Sequence, residues 1–378
     1  MLNSQSAEGV LRALTDKPSQ VDIARLELLF RDFVANVFEG AKFYEGRRQL
    51  LSDGMTERGA QLGLFSSAKD MDDVDWRVLT HPGSIIWSVA LASSAPLEKV
   101  FESAACGYRT GATIANLFGA KHRSKWHITS TSGAFAATST AAIALGLTKN
   151  EHLAALKLCA ANIGASSQPG FERLGAAQFN RAAAIALGIT SAKAAAMGAI
   201  NTADIWDGPR GLIEMFSVEA ESQEIFDGIS SVSLRLFPTN GFAHSAVFAA
   251  LDLLPEISEP ITSIGVSLPF AVKGLLDESR GGNWWNSRFA VAAVCSSKDP
   301  MRLADASTYL DITHADFKDM PAGAGAVKIK MGSREISREI LVAPEKEEWM
   351  NKKFADTNNL TMEELHLLCS NFPLASLR

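Results

Sequence analysis

The residues able to do chemistry gather in three short stretches. Asp70-Met-Asp72-Asp73-Val-Asp75 runs into Thr80-His81-Pro82-Gly83, and Trp126-His127 opens a long run of small apolar residues. A carboxylate and two imidazoles, each at a helix boundary, are what cofactor-free proton transfer beside a carboxylate needs. His81 precedes Pro-Gly, so a turn fixes its backbone; a general acid/base and an ordinary loop histidine both fit there. His127 lies just before Thr129 and Ser130, which read as helix N-caps. An imidazole at a helix N-terminus is disfavoured as a cation and stays neutral, able to act as a base. Asp72, Asp73 and Asp75 read equally well as a solvated acidic face with capping roles, the preferred reading for Asp75. His122, within Lys121-His-Arg-Ser-Lys125, reads as part of an exposed basic turn, with a charged rim guiding an anion as the alternative. His152 and His314 read as surface residues.

The elements that must position these groups fall into two textures. From Ile23 to about Ser217 the chain reads as helix after helix, rich in Ala and Leu, with Gly or Pro at intervals suited to helix ends. Ala141-Ala-Ile-Ala-Leu-Gly-Leu-Thr148 returns as Ala183-Ala-Ile-Ala-Leu-Gly-Ile-Thr190. Each copy predicts a helix terminus, with Gly146 or Gly188 in the left-handed conformation and Leu147 or Ile189 making the accompanying apolar contact. Thr148 and Thr190 then cap the next helix, and Glu151 gives Thr148 a capping box. A common helix-turn-helix solution used twice is preferred to an ancestral duplication. Small side chains across 133–146, 154–164 and 176–188 let helix axes approach closely, which places a site at the helix ends and not between their bodies. From about Ile229 the pattern alternates. Strands are predicted at 231–237, 261–268, 326–331 and 334–342, the last two joined by a hairpin at Met331-Gly-Ser333, with helices at 244–254, 289–296 and 301–310. That is an α+β segment of roughly a hundred residues. Thr361-Met-Glu-Glu364 is a capping box opening a terminal helix through Leu368.

Composition narrows the partners. At 378 residues, 47% hydrophobic and 21% charged, the chain is an ordinary globular protein of one large or two ordinary domains. A net charge of −6 gives no reason to expect nucleic acid or an anionic membrane, so an anionic substrate needs a local basic pocket. Cys106, Cys159, Cys295 and Cys369 are scattered singly, which predicts reduced cysteines in an intracellular, cytoplasmic protein. No secretory signal is expected from the polar start, and no stretch reaches the roughly 18 uncharged apolar residues of a membrane helix.

Taken together, Asp70-Met-Asp-Asp73, Thr80-His-Pro-Gly83 and Lys125-Trp-His-Ile-Thr129 resemble the signature of the 2-methylcitrate dehydratase (MmgE/PrpD) family. That signature reads roughly H-x-L-D-x-D-D, T-H-P-G and G-F/W-H-x-T. Phe237-Pro238 followed by His244 is similar to its K-x-Y/F-P…H element, and Trp284-Trp-Asn-Ser-Arg-Phe-Ala-Val-Ala292 to its F-S-L-P-Y-A-V-A element. The resemblance spans about residues 23–354 and implies a shortened, divergent member. It implies a mainly α fold with a second α+β domain: a large all-helical, dimer-forming domain over 1–228 and a smaller α+β lid domain over 229–345. A C-terminal helical segment over 346–378 completes the chain, and the active site lies in the cleft between the domains.

The family includes dehydratases, cis-aconitate decarboxylase and iminodisuccinate epimerase, none needing a metal or organic cofactor. The resemblance therefore implies Asp70, His81 and His127 as catalytic residues, Asp70 orienting a histidine or accepting a substrate hydroxyl. Arg235, Gln168, Asn240 and His244 are implied as substrate-binding residues, with a structural role for His244 as the alternative. The departures point away from the usual substrates. Val74 stands for a threonine, Gln168 for a lysine, Asn240 for a histidine and Phe289 for a tyrosine, and the L-H-x-G element is lost in Pro169-Gly-Phe-Glu172. Arg235 replaces a lysine and is expected to offer a bidentate fork as the surviving cation. With fewer donors, a citrate-like trianion is expected to bind poorly. The expectation is a cofactor-independent lyase of the dehydratase kind, or an isomerase, acting on a small organic acid or carbonyl compound as a homodimer. A decarboxylase of the cis-aconitate type, or a non-catalytic relative serving as a binding or assembly partner, is the alternative.

Overall fold

The computed structural model describes residues 4–16, 23–45, 54–171, 176–199, 205–216, 218, 224–273, 286–301 and 307–370. The first part is helical: α1 (Ser4–Leu14), α2 (Ile23–Phe43), α3 (Met55–Ser67), α4 (Gly83–Ala92), α5 (Leu97–Arg123), α6 (Ile128–Ala144), α7 (Lys149–Ala160), the single turn α8 (Gln168–Phe171), α9 (Ala176–Ala196) and α10 (Leu212–Phe216). Between α3 and α4 the two-residue strand β1 (Val74–Asp75) pairs with β2 (Val232–Ser233) in antiparallel register. This replaces the longer strand expected over 231–237. The rest comprises α11 (His244–Leu253), β3 (Ser263–Pro269), α12 (Ser287–Ser297), α13 (Ser307–Leu310), β4 (Thr313–Lys318), β5 (Gly325–Met331), β6 (Arg334–Ile340), α14 (Glu347–Lys353) and α15 (Met362–Ser370).

The larger sheet has the order β4-β3-β5-β6. β5 and β6 form the expected hairpin, Gly332 at its turn having a φ of +57°. β4 was not expected: it runs parallel to β3, with Thr313 opposite Ile264. Its alternation of His314, Asp316 and Lys318 with Thr313, Ala315 and Phe317 is too polar to stand out as a buried strand. Of the helix expected over 301–310, Ser307–Leu310 is helical and 302–306 lie outside the described residues. Trp284 and Trp285 lie outside them too.

Two apolar clusters carry the packing. One joins α2, α4 and α5 to α11, α12, the larger sheet, α14 and α15, through residues such as Phe30, Trp87, Phe237, Phe248 and Trp349. The other joins α1, α4, α5, α6, α7 and α9 through Ile85, Phe118, Phe135 and Ile185. α6 lies between α5 and α9.

The repeated octapeptide behaves differently in its two copies. At the first, Leu147 N–H reaches Ala142 O (2.9 Å), Gly146 N–H reaches Ile143 O (3.1 Å) and Gly146 has a φ of +72°. Thr148 then caps α7 in a full capping box with Glu151. At the second, α9 runs straight through Gly188 and Thr190 and ends at Ala196, so the expected terminus is absent. A Cβ at Gly188 would lie 2.4 Å from Ala137 Cβ and 2.7 Å from Thr138 N, so this glycine lets α9 touch α6. Tertiary contact overrides the local stop signal.

Candidate active site

The Asp-rich stretch folds as a turn pinned from both sides. Asp70 leaves α3 with a φ of +51°, and Leu79 closes the 75–80 loop with a φ of +56°. Left-handed backbone is tolerable for Asp but strained for Leu, and both residues line the same cavity. Asp73 anchors the turn that leads into α4. Its carboxylate accepts from Gly83 N–H (2.8 Å) and the Tyr108 hydroxyl (2.9 Å), which itself accepts from Trp87 Nε1 (3.0 Å). A side chain at Gly83 would sit 2.5 Å from Asp73 Oδ2, so the turn requires glycine. Burial raises the Asp73 carboxyl to about 7, assisted by Asp32 and Asp72 and opposed by these hydrogen bonds.

The backbone carbonyl of Asp73 accepts from His81 Nδ1 at 2.8 Å. A carbonyl cannot donate, so Nδ1 carries the proton and the lone pair of neutral His81 is on Nε2. Burial drives His81 well below its usual range; Arg235 and Arg181 add to this and Asp72 opposes it. His81 N–H donates to Thr129 Oγ1 (3.2 Å), tying this turn to the start of α6. His127 is itself the N-cap residue of α6, so Thr129 and Ser130 lie inside the first turn instead of capping it. Its Nδ1 is 2.7 Å from Ser130 Oγ, and burial, with Arg181, pushes it down to about 3.

These groups border a cavity of about 380 Å³ at the N-terminal ends of α4, α6 and α9. Asp70, His81, His127, Gln168, Arg235 and Asn240 line it, together with Arg123, Arg181, Trp76 and Trp126. His244 does not. It is buried beneath the wall, Nδ1 donating to Asn240 O (3.2 Å) and Nε2 accepting from Phe237 N–H (3.2 Å), so it holds the turn instead of meeting a ligand. Asn240 Oδ1 accepts from Ala243 N–H (3.0 Å), and Gln168 begins α8 on an exposed rim. Val74 lines the cavity whereas Phe289 does not.

The cations differ most from expectation. Arg235 donates through Nε to Asp72 O and through Nη2 to Asp72 Oδ1, so the fork offered to a substrate is turned on the protein's own carboxylate. Arg181 Nη1 comes within 2.9 Å of Asp72 Oδ2, off the hydrogen-bond direction. Burial pushes Asp72 up, but Arg181 and Arg235 outweigh it and hold the carboxyl at about 2. Arg235 is thus not the sole surviving cation; Arg123 and Arg181 stand beside it. Arg123 belongs to the segment read as an exposed turn, yet its neighbour His122 is buried, accepting or donating at Thr131 Oγ1 (2.8 Å) and stacked on Phe118 at 4.4 Å. His152 is also buried, against Ser139 Oγ at 2.8 Å. Nor is Asp75 solvated: it accepts from Ser231 (2.8 Å) and pairs with Arg77 (3.1 Å). The available signal for Arg181 was its isolation, a lone guanidinium among the alanines of α9.

Beneath the site, Lys353 of α14 pairs with Asp32 of α2 and donates to Met71 O and Arg235 O, both at 2.8 Å. One buried ammonium therefore ties together the two segments that carry Asp72 and Arg235. Among the described residues no cluster of His, Cys, Asp or Glu is placed to hold a metal ion, and no helix is long and apolar enough to cross a membrane.

No curated protein matches the chain. Residues 58–224, which supply Asp70, His81, Arg123, His127 and Arg181 to the cavity, match the MmgE/PrpD N-terminal domain, which supports membership of the MmgE/PrpD family.

Proposed function

We propose that the protein is a cofactor-independent lyase of the dehydratase kind, using His81 as the base at a carbon next to a carboxylate. The observation that carries this reading is the tautomer of His81. Its Nδ1 proton is committed to Asp73 O, so a neutral Nε2 lone pair belongs to a ring that lines the cavity among three guanidinium groups. His81 takes the α-proton, the C–H electrons pass into the carboxylate as an enediolate, and the nearby cations offset the added charge. The imidazolium then returns its proton to a departing β-hydroxyl, which leaves as water as the double bond forms. His127, with the Ser130 hydroxyl donating to Nδ1, offers an Nε2 proton to the developing oxyanion. The N-terminus of α6 contributes its positive end to the same wall.

A second reading, isomerisation or epimerisation, is favoured by one feature. Both imidazoles are depressed and neutral at ordinary pH, so neither begins as a strong acid for a leaving group. A base that takes a proton and returns it to carbon needs no such acid.

Charge sets the substrate class. Arg123, Arg181 and Arg235 stand against Asp70 and Asp72, an excess of one positive charge. A monocarboxylate is matched, a dicarboxylate leaves one negative charge over, and a tricarboxylate leaves two. Each unmatched charge-assisted contact costs on the order of 1.5–3 kcal/mol, so two weaken a trianion by roughly a hundredfold or more. The test is a panel of 3-hydroxy mono-, di- and tricarboxylates, read by NMR for a new C=C bond. Turnover is expected among the mono- or dicarboxylates. Efficient turnover of 2-methylcitrate would overturn the charge argument, and no turnover of any acid would favour a non-catalytic relative.

A further inference from the structure

We propose that Arg181 seats the substrate's carboxylate, and that this carboxylate is the one attached to the reacting carbon. The proposal rests on the acid–base reading above but makes a separate claim about binding.

Arg181 is 4% exposed, yet among the described residues its guanidinium makes no hydrogen bond. Among the described residues its Nε and Nη1 are buried without a hydrogen-bond partner, and its one ion pair is the off-axis approach of Nη1 to Asp72. A guanidinium has five N–H donors in a planar fork, and leaving a buried one unused is unfavourable unless something arrives to accept from it. Trp76 Nε1, from another side chain lining the cavity, is also buried with no acceptor. Arg235, in contrast, has already committed Nε and Nη2 to Asp72. The cavity is therefore rich in donors, and its buried, unused ones belong to Arg181 and Trp76, with the half-buried guanidinium of Arg123 as a further cation on the wall.

A planar carboxylate is the acceptor that fits a fork. The excess of one positive charge matches a carboxylate better than a phosphate monoester, which carries close to two charges at neutral pH. Position gives Arg181 its chemical meaning. Arg181 lines the same cavity as His81 and His127, and its charge opposes protonation of both, so an anion on it shares the cavity with both rings. The carbon next to that anion is the carbon the rings can reach. Removing its proton places a second charge on the bound carboxylate, and Arg181 is positioned to stabilise that charge more strongly than the ground state.

The competing explanation is that Arg181 serves only as a counter-ion for Asp72. Saturation-transfer NMR titrations with sodium propionate and with propionamide, its neutral isostere, separate the two. Wild type should bind propionate and not propionamide over the same range. Arg181→Gln should lose about tenfold or more in propionate affinity, with Arg181→Lys in between, since the ammonium keeps charge without the fork. Asp72→Asn removes the one anion that Arg181 touches and should tighten propionate binding, a gain that misfolding cannot imitate. The gain should vanish in the double variant Asp72→Asn/Arg181→Gln. Propionate binding by Arg181→Gln within about twofold of wild type, or a gain that survives in the double variant, would overturn the proposal. A carboxylate seat confirmed in this way in a protein that turns over no acid would instead count against the catalytic reading and leave the binding claim standing.

Discussion

His81 is held so tightly that its protonation state is part of the fold. The Asp73 carbonyl accepts from Nδ1, Thr129 accepts from the backbone N–H, and burial with two guanidinium groups opposes a second proton on the ring. We expect His81→Gln to lower turnover by about 10²- to 10⁴-fold, the usual contribution of a positioned base, without changing the melting temperature in proportion. The pH profile should reflect the same shift. Protonated His81 cannot accept a proton, and its folded value lies well below 6.5, so kcat/KM should stay flat as pH falls through 6.5 and drop only in more acidic solution. An acid limb centred at or above 6.5 would contradict this. At this scale the sequence was most informative where the chemistry is local. Asp70, His81 and His127 lie next to turns and helix starts that their own neighbours dictate. Arg123 and Arg181 reach the cavity only because α5, α6 and α9 pack side by side, and no short pattern encodes that convergence.

At the scale of elements, the two copies of the Ala-Leu-Gly octapeptide separate local from tertiary causes. Gly146 turns the chain with a φ of +72° and open space around it, while Gly188 stays helical because the backbone of α6 lies against it. Replacing Gly146 by Ala should cost about 1–2 kcal/mol, the penalty of a left-handed Cβ. Replacing Gly188 by Ala gains up to about 1 kcal/mol of helix propensity but must force apart two packed helices, which typically costs about 1–3 kcal/mol. Urea midpoints should fall for both variants, and a stabilised Gly188→Ala would show that α6 and α9 are further apart than described. The same comparison explains the legibility of the fold. Caps and hairpins such as Thr148 to Glu151, Thr361 to Glu364 and the Gly332 turn are fixed within a few residues and were readable. β4 and the uninterrupted α9 depend on what lies beside them and were not.

Over the whole molecule, the site is braced from the far end of the chain. Lys353 joins Asp32 to the Met71 and Arg235 carbonyls, so α14 supports the turn at 70–73 and the segment bearing Arg235. Lys353→Met leaves Asp32 buried without its cation, with the neutral Asn36 amide still donating to it, and should cost about 3–5 kcal/mol, with Asp32→Asn added in the same chain recovering part of it. Denaturant titration of the two variants checks this, and equal stability of both would remove the brace. Acid should also destabilise the fold. Burial pushes His122 and His152 down to about 4, and His127 and His244 down to about 3, against 6.5 in the unfolded chain. Unfolded rings therefore take up protons that folded rings refuse, and stability falls as pH drops from 6.5 towards 4. Asp73 and Asp32 act in the opposite direction, burial raising both carboxyls, and the stabilising protonation of Asp73 is lost as pH rises towards about 7; these are two carboxyls against the four rings and His81. Proton transfer by His81 at a carbon beside a carboxylate can be followed in deuterium oxide. The wild type, given a 3-hydroxy monocarboxylate, should exchange the α-proton for deuterium as followed by NMR, and His81→Gln should not. Exchange that persists undiminished in His81→Gln, or none in the wild type with any acid that binds, would contradict the account.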